Sequence, residues 1–172
     1  MQSDSEKNSQ AKCPKGRFAG FCLFTLVVFA LDLITKELVI TKFAYGEFYP
    51  VTSFFNLCHV RNTGAAFSFL SNAGGWQSTL FVALALALSV VLLVWLWRER
   101  NSTSFALPLS LSLVLAGALG NCLDRVMRGS VVDFLDFYIG AWHWPAFNVA
   151  DIAICLGAAI LIFSELFSKR AD

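Results

Sequence analysis

The chain has 172 residues, of which 57% are hydrophobic and 15% charged, and its formal net charge is +1. A water-soluble domain is nearer half apolar and a quarter charged, so lipid is the expected solvent. Near-neutral charge excludes the basic field that nucleic acid requires. Five scattered cysteines (Cys13, Cys22, Cys58, Cys122, Cys155), odd in number and without ligand spacing, argue against a disulfide framework or a zinc site.

Residues 1–17 are polar, carry Lys7, Lys12, Lys15 and Arg17, and read as a disordered cytoplasmic tail. A basic start before an apolar run also resembles a secretory signal peptide. No small-x-small cleavage site follows, however, and the run continues into Asp32-Leu33-Ile34-Thr35-Lys36, so residues 18–40 form an uncleaved first span. Asp32 and Lys36 share a helical face in the favourable acid-before-base order. The uncharged stretch before Asp32 covers roughly 21 Å at 1.5 Å per residue, which places the pair near the far surface of a ~30 Å hydrocarbon core. Lys36 alone reads equally well as a snorkelling anchor, but a carboxylate stem is too short for that.

Residues 42–78 form a long loop whose Phe54, Phe55, Leu57, Val60, Phe67 and Phe69 predict contact with the bilayer or the helices. Within it, 47–60 has the β-branched and aromatic content of short strands. Asn62-Thr63-Gly64-Ala65-Ala66-Phe67 is a glycine turn where backbone can approach a ligand closely. The second span, 79–97, ends at Arg98-Glu99-Arg100, with Trp95 and Trp97 at interfacial depth. The third, 103–123, contains Pro108 and the close-packing pair Ala116-x-x-x-Gly120, and closes on Gly120-Asn121-Cys122-Leu123-Asp124-Arg125. A second loop, 124–146, carries Val131-Val132-Asp133-Phe134 and then an aromatic stretch in which Asp136 is expected to be an ordinary loop acid. The fourth span, 147–167, opens on Phe147-Asn148-Val149-Ala150-Asp151.

Four spans return both termini to one side. The basic tail, the Arg98–Arg100 turn and Lys169-Arg170 mark that side as cytoplasmic, although Arg61, Arg125 and Arg128 fall opposite. Up-and-down topology then gathers Asp32, Lys36, Asn121, Asp124, Arg125, Asp133, Asn148 and Asp151 at the outer surface. Ionisable groups at membrane depth are costly and by default mark a functional site.

The pairs Asn121/Asp124 and Asn148/Asp151 each present an amide and a carboxylate on one helical face. Two carboxyls held close in a poorly solvated site cannot both ionise. One can take a proton from water while the other polarises a carbonyl, which is general acid–base hydrolysis without a covalent intermediate. Spacing leaves open which aspartates pair; Asp124 with Asp151 fits as well as any. No His-Glu-x-x-His or Gly-x-Ser-x-Gly is present, and nothing singles out a Ser–Lys or Cys–His arrangement among Lys36, Ser68, Cys58 and His59. His59 and His143 read as interfacial hydrogen-bonding residues. The alternative is a small polytopic transporter or proton-relay protein, which would place its charges at the midplane of paired repeats. Charges at one surface and no internal repeat favour surface chemistry.

The five motifs around Asp32–Lys36, Asn62–Phe67, Gly120–Arg125, Val131–Phe134 and Phe147–Asp151, in this order between four spans, resemble lipoprotein signal peptidase (signal peptidase II, aspartic peptidase family A8). The resemblance covers nearly everything from Phe18 to Lys169. It implies an all-α integral membrane protein of the bacterial inner membrane: four transmembrane helices, a small periplasmic β-sheet, and a short lid helix between the first and second spans. It implies cleavage of diacylglyceryl-modified prolipoproteins just before the lipidated cysteine, and inhibition by globomycin. Its dyad falls on Asp133 and Asp151. Asn62, Gly64, Asn121, Asp124, Arg125 and Asn148 match positions that orient the dyad or hold substrate, and Asp32 and Lys36 match a supporting motif. No cofactor or metal is expected, the partners are prolipoproteins and membrane lipids, and the protein is expected to be a monomer.

Overall fold

An apolar run in lipid must satisfy its own backbone, and a helix does so within one segment. The computed structural model describes residues 16–64, 76–102 and 104–168, and all four apolar runs are helices long enough to cross a bilayer. They are α1 (Arg17–Lys42), α2 (Trp76–Arg98), α3 (Ala106–Arg128) and α4 (Val149–Ser168), with a 3-10 turn at Glu99–Asn101 after α2. Most of the expected tail lies outside the described residues, but Arg17 belongs to α1, where its guanidinium holds the Ser102 and Ser104 carbonyls.

The helix α3 is the hub. In its most apolar window 61% of residues are buried, against 17% in each of the other three. Pro108 sits in its first turn, where a missing N–H is tolerated. Gly129 ends it in the left-handed conformation (φ 72°), donating its N–H to the Arg125 carbonyl. The helix thus runs five residues past the expected end at 123, and Asn121, Asp124, Arg125 and Arg128 share one helical face. Carboxylate partners make this extension affordable: Arg128 donates to Asp124 at 2.5 Å.

Small residues let α4 close on α3. A Cβ on Gly117 would run into the Ala150 carbonyl, and one on Gly157 would stand 2.7 Å from the Ser110 carbonyl. The expected pair works differently. Ala116 is fully buried, whereas Gly120 makes room for the Asp32 carboxylate rather than for a helix backbone.

At one end of the bundle lies an antiparallel sheet in the order β1 (Phe48–Pro50), β2 (Phe55–Asn62), β3 (Val131–Ile139), β4 (Trp142–His143). Half of it comes from the second loop, where the sequence predicts an aromatic loop after Asp133 and the structure has strands. Val131-Val132-Asp133-Phe134-Leu135 is a strand by content, and its two flanking partners satisfy its backbone. Phe147 adds an isolated bridge to Leu135 immediately before α4. No helix occurs among residues 43–64, and the rest of the segment where the lid helix was expected, 65–75, lies outside the described residues.

Gly117→Ala is expected to destabilise the bundle by about 1–3 kcal/mol through overpacking against α4, measured by thermal unfolding in detergent. An unchanged unfolding temperature would show that α3 and α4 separate without loss.

Candidate active site

The start of α4 explains the Asn-x-x-Asp spacing. Asn148 precedes the helix, and its Oδ1 accepts the Asp151 N–H at 3.0 Å while Asp151 Oδ2 accepts the Asn148 N–H at 3.3 Å. This is a reciprocal capping box, and it stations the Asp151 carboxylate where the helix dipole favours negative charge. Because Asn148 Oδ1 is committed to the cap, its amide nitrogen faces outward and donates to Asp133 Oδ1 at 2.6 Å. One amide therefore touches both aspartates. Asp133 is delivered by β3 and Asp151 by α4, and the Leu135–Phe147 bridge holds those elements side by side.

A second amide is oriented from the opposite side. Lys36 Nζ can only donate, and it donates to Asn121 Oδ1 at 3.0 Å. The Asn121 amide nitrogen is thereby turned to Asp151 Oδ1 at 2.8 Å. Lys36 is 1% exposed and is held by Asp32 at 2.7 Å and Asp124 at 3.3 Å. Asp32 in turn accepts the Ala150 N–H at 2.8 Å, and Asp124 accepts the Val132 N–H at 3.1 Å. The expected i,i+4 pair is thus a buried brace joining α1, α3, α4 and the start of β3, with no snorkelling. Arg128 and Glu37, neither of them an expected site residue, extend it to the surface through a 2.7 Å ion pair. The four-residue spacing of Arg128 from Asp124 was the available signal.

The third arm comes from β2. Asn62 Oδ1 accepts the Gly64 N–H at 2.9 Å, and the Asn62 side chain also hydrogen-bonds Asp133. Arg125 clamps this turn, donating to the Gly64 carbonyl at 2.8 Å and to the Asn121 carbonyl at 3.2 Å, with its guanidinium 5.3 Å from the Phe81 ring centre. All ten residues singled out from the sequence therefore belong to one connected network; Ala65, Ala66 and Phe67 lie outside the described residues.

Burial, and then the neighbouring Asp151 charge, raise the Asp133 pKa from the usual carboxylate range to about 7, against the opposing bonds from Asn148 and Asn62 and the charge of Lys36. The site can therefore hold one proton between two carboxyls at neutral pH. Cys58 is fully buried with its thiol pushed up to about 12 by burial, and His59 Nδ1 lies 3.0 Å from the Phe43 carbonyl, so this neighbouring pair is not an activated nucleophile. Asp136 is not an ordinary loop acid. It is a buried residue of β3 bonded to Asn56 at 2.7 Å and to His143 at 2.9 Å. Its partners stand on the two adjacent strands, and local sequence spacing does not reveal cross-strand neighbours.

A family model described as signal peptidase (SPase) II matches residues 24–167. A lipoprotein signal peptidase from Burkholderia mallei is 48% identical over 160 residues, 93% of this chain and 95% of that protein. One from Cupriavidus taiwanensis is 50% identical over 147 residues, 86% of this chain and 82% of that protein. A solved structure described as a bacterial membrane enzyme, obtained by the in meso method at 2.3 Å resolution, is 30% identical with a TM-score of 0.75, covering 88% of this chain and 90% of that one. A second such enzyme, at 1.9 Å, is 31% identical with a TM-score of 0.69, covering 86% and 93%.

Lys36→Met is expected to destabilise the protein by about 3–5 kcal/mol, because it strands buried carboxylates. Adding Asp32→Leu should recover part of that loss, read by thermal unfolding; a fully stable single variant would contradict the brace.

Proposed function

Because this chain belongs to the signal peptidase II family of aspartic peptidases, we propose that Asp133 and Asp151 are the dyad with which it removes the signal peptide of prolipoproteins. The observation that carries this assignment is the Asn148 amide, bonded at once to both aspartates. Asp124, the alternative partner of Asp151, is already committed to Lys36, Arg128 and the Val132 N–H and has no free oxygen for chemistry.

The resting dyad shares one proton, which sits on Asp133, the more buried of the two carboxyls. A water held between them loses a proton to Asp151 as its oxygen attacks the scissile carbonyl, while Asp133 donates to the carbonyl oxygen. The tetrahedral intermediate collapses as the proton held by Asp151 passes to the leaving amine, and Asp133 takes its own back. Asn121, Asn148 and Asn62 keep the oxygens aimed throughout, which is a positioning contribution. Arg125 and Gly64 hold the turn along which the substrate backbone lies, and Asp32 and Lys36 act through Asn121.

The substrate is a diacylglyceryl-modified prolipoprotein, cut just before the lipidated cysteine. Its acyl chains stay in the bilayer, so the scissile bond reaches the protein where helix ends meet the sheet. Both termini face the cytoplasm, and the sheet and dyad lie at the periplasmic surface of the inner membrane. The three arginines that oppose this orientation are engaged within the protein: Arg128 with Asp124 and Glu37, Arg125 with Gly64 and Asn121, and Arg61 against the Tyr45 ring at 5.9 Å. The protein acts as a monomer and is blocked by globomycin.

Asp133→Asn and Asp151→Asn should each abolish processing of a lipidated precursor by a folded, membrane-inserted protein; normal turnover by either would remove that residue from the dyad. The unlipidated precursor should be cut far more slowly, and equal rates would refute lipid-dependent presentation. Turnover should decline on the alkaline side with a midpoint near 7, as the shared proton leaves Asp133. A rate independent of pH from 5 to 9 would contradict the shared proton.

A further inference from the structure

Asp136 lies outside the network that touches the dyad, yet it is 2% exposed in a sheet otherwise lined with aromatic residues. Its carboxylate is bonded by side chains of both neighbouring strands. Asn56 of β2 donates to it at 2.7 Å, and His143 Nδ1 of β4 lies 2.9 and 3.0 Å from its two oxygens. Tyr138 stacks on the His143 ring at 5.2 Å and Phe48 meets it edge-on at 6.2 Å, so the imidazole is held in plane.

A buried carboxylate is a poor way to add stability, because apolar side chains of similar volume often do better. The attested benefit of such groups is specificity of register. The sheet has a register in need of specification. Asn56 stands opposite Asp136 and Leu57 opposite Leu135, but Val60 stands opposite Asp133, so β2 carries one extra residue. Regular pairing carried on from Leu57 would set His59 against Asp133 and push Asn62 from Val131 to Ser130, beyond the start of β3. A one-residue slip also turns every side chain to the other face. The bulge is therefore what puts Asn62 on Asp133, and bulges beside active sites commonly re-aim a side chain in this way.

We propose that Asp136, with Asn56 and His143, is a positioning residue: this three-strand lock fixes the bulged register of β2 on β3 that brings Asn62 to Asp133. The inference rests on the dyad reading above. His59, bonded to the Phe43 carbonyl at the end of α1, anchors the bulge itself, while the lock holds the strand pairing on its far side.

The test measures kcat, KM and the pH dependence of kcat for the full chain on a lipidated precursor. It compares Asp136→Leu and Asp136→Asn with Asn62→Ala and with the Asn62→Ala/Asp136→Leu double variant. A displaced contact at a reacting group costs up to about a hundredfold in rate. Asp136→Leu should therefore lower kcat by about tenfold to a hundredfold, with KM changed by less than about threefold. Asp136→Asn, which keeps an acceptor for Asn56, should recover most of the loss.

The alkaline limb should move upward in Asp136→Leu as in Asn62→Ala, because both withdraw a donor from the Asp133 carboxylate. The other titratable groups around Asp133, namely Asp151 from α4, Lys36 from α1, Arg125 from α3 and Cys58 from β2, are unaltered. The double variant should be no slower than Asn62→Ala alone. Multiplying losses, or a lower unfolding temperature with kcat and the limb unmoved, would overturn the lock. If Asp136→Leu does not fold, Asp136→Leu/His143→Phe, which leaves no unpaired imidazole, carries the same comparison. Asp133→Asn run alongside separates the two readings: its retained activity would sink the dyad itself, whereas a dead Asp133→Asn with unaffected Asp136 variants sinks only the lock.

Discussion

The side-chain amide of Asn148 donates to Asp133 while its oxygen and its backbone N–H cap α4 through Asp151, and the geometry of the sheet-bearing end of the bundle follows from this. Two carboxyls in a poorly solvated place repel each other unless something holds them and one keeps a proton. The capping box does the holding with bonds that the helix start requires anyway. The same residues thus terminate a membrane helix and compose the site, which is why Asn148 is fully buried and cannot rotate away.

Around this bridge the protein buries three charges, Asp32, Lys36 and Asp124, beside the Asp133 carboxyl. Ions in a low-dielectric place are tolerated only when paired and bonded. Lys36 meets that condition with two carboxylates and one amide, and each carboxylate also accepts a backbone N–H, Asp32 at the start of α4 through its other oxygen and Asp124 at the start of β3 through the same oxygen that faces Lys36. The ionic brace is therefore also the splint that joins helices to sheet. The small residues of α3 serve the same end, since only glycine at 120 leaves space for the Asp32 carboxylate beside the helix.

The sheet contributes what helices cannot. Asp133 rides on a strand that leaves α3 through the left-handed Gly129 and turns back along the bundle end. The bulge in β2 then brings Asn62 to the same carboxylate. Rigid strands crossing the mouth of a bundle place side chains from distant loops at atomic spacing, while the lipid-facing surfaces of α1, α2 and α4 remain plain hydrocarbon.

The amino-acid sequence by itself determined the solvent, the four spans, the clustering of polar residues at one end and the identity of the residues in the network. These follow from local composition and from topology, and the motifs pointed to the family. Helix ends were legible only to within a few residues: α3 continues to Arg128 because its charges find partners on α1, which no local rule contains. Spacing does not choose between Asp124 and Asp133 as the neighbour of Asp151, since both Asn-x-x-Asp patterns are alike; the folded chain spends Asp124 on Lys36, Arg128 and a backbone N–H, and bonds Asn148 to Asp133 and Asp151 alike. Asp136 changed most, from a loop acid to a buried link between three strands. Strand register and the partners of buried charges depend on residues far apart in the chain, and only the folded arrangement brings those residues within bonding distance.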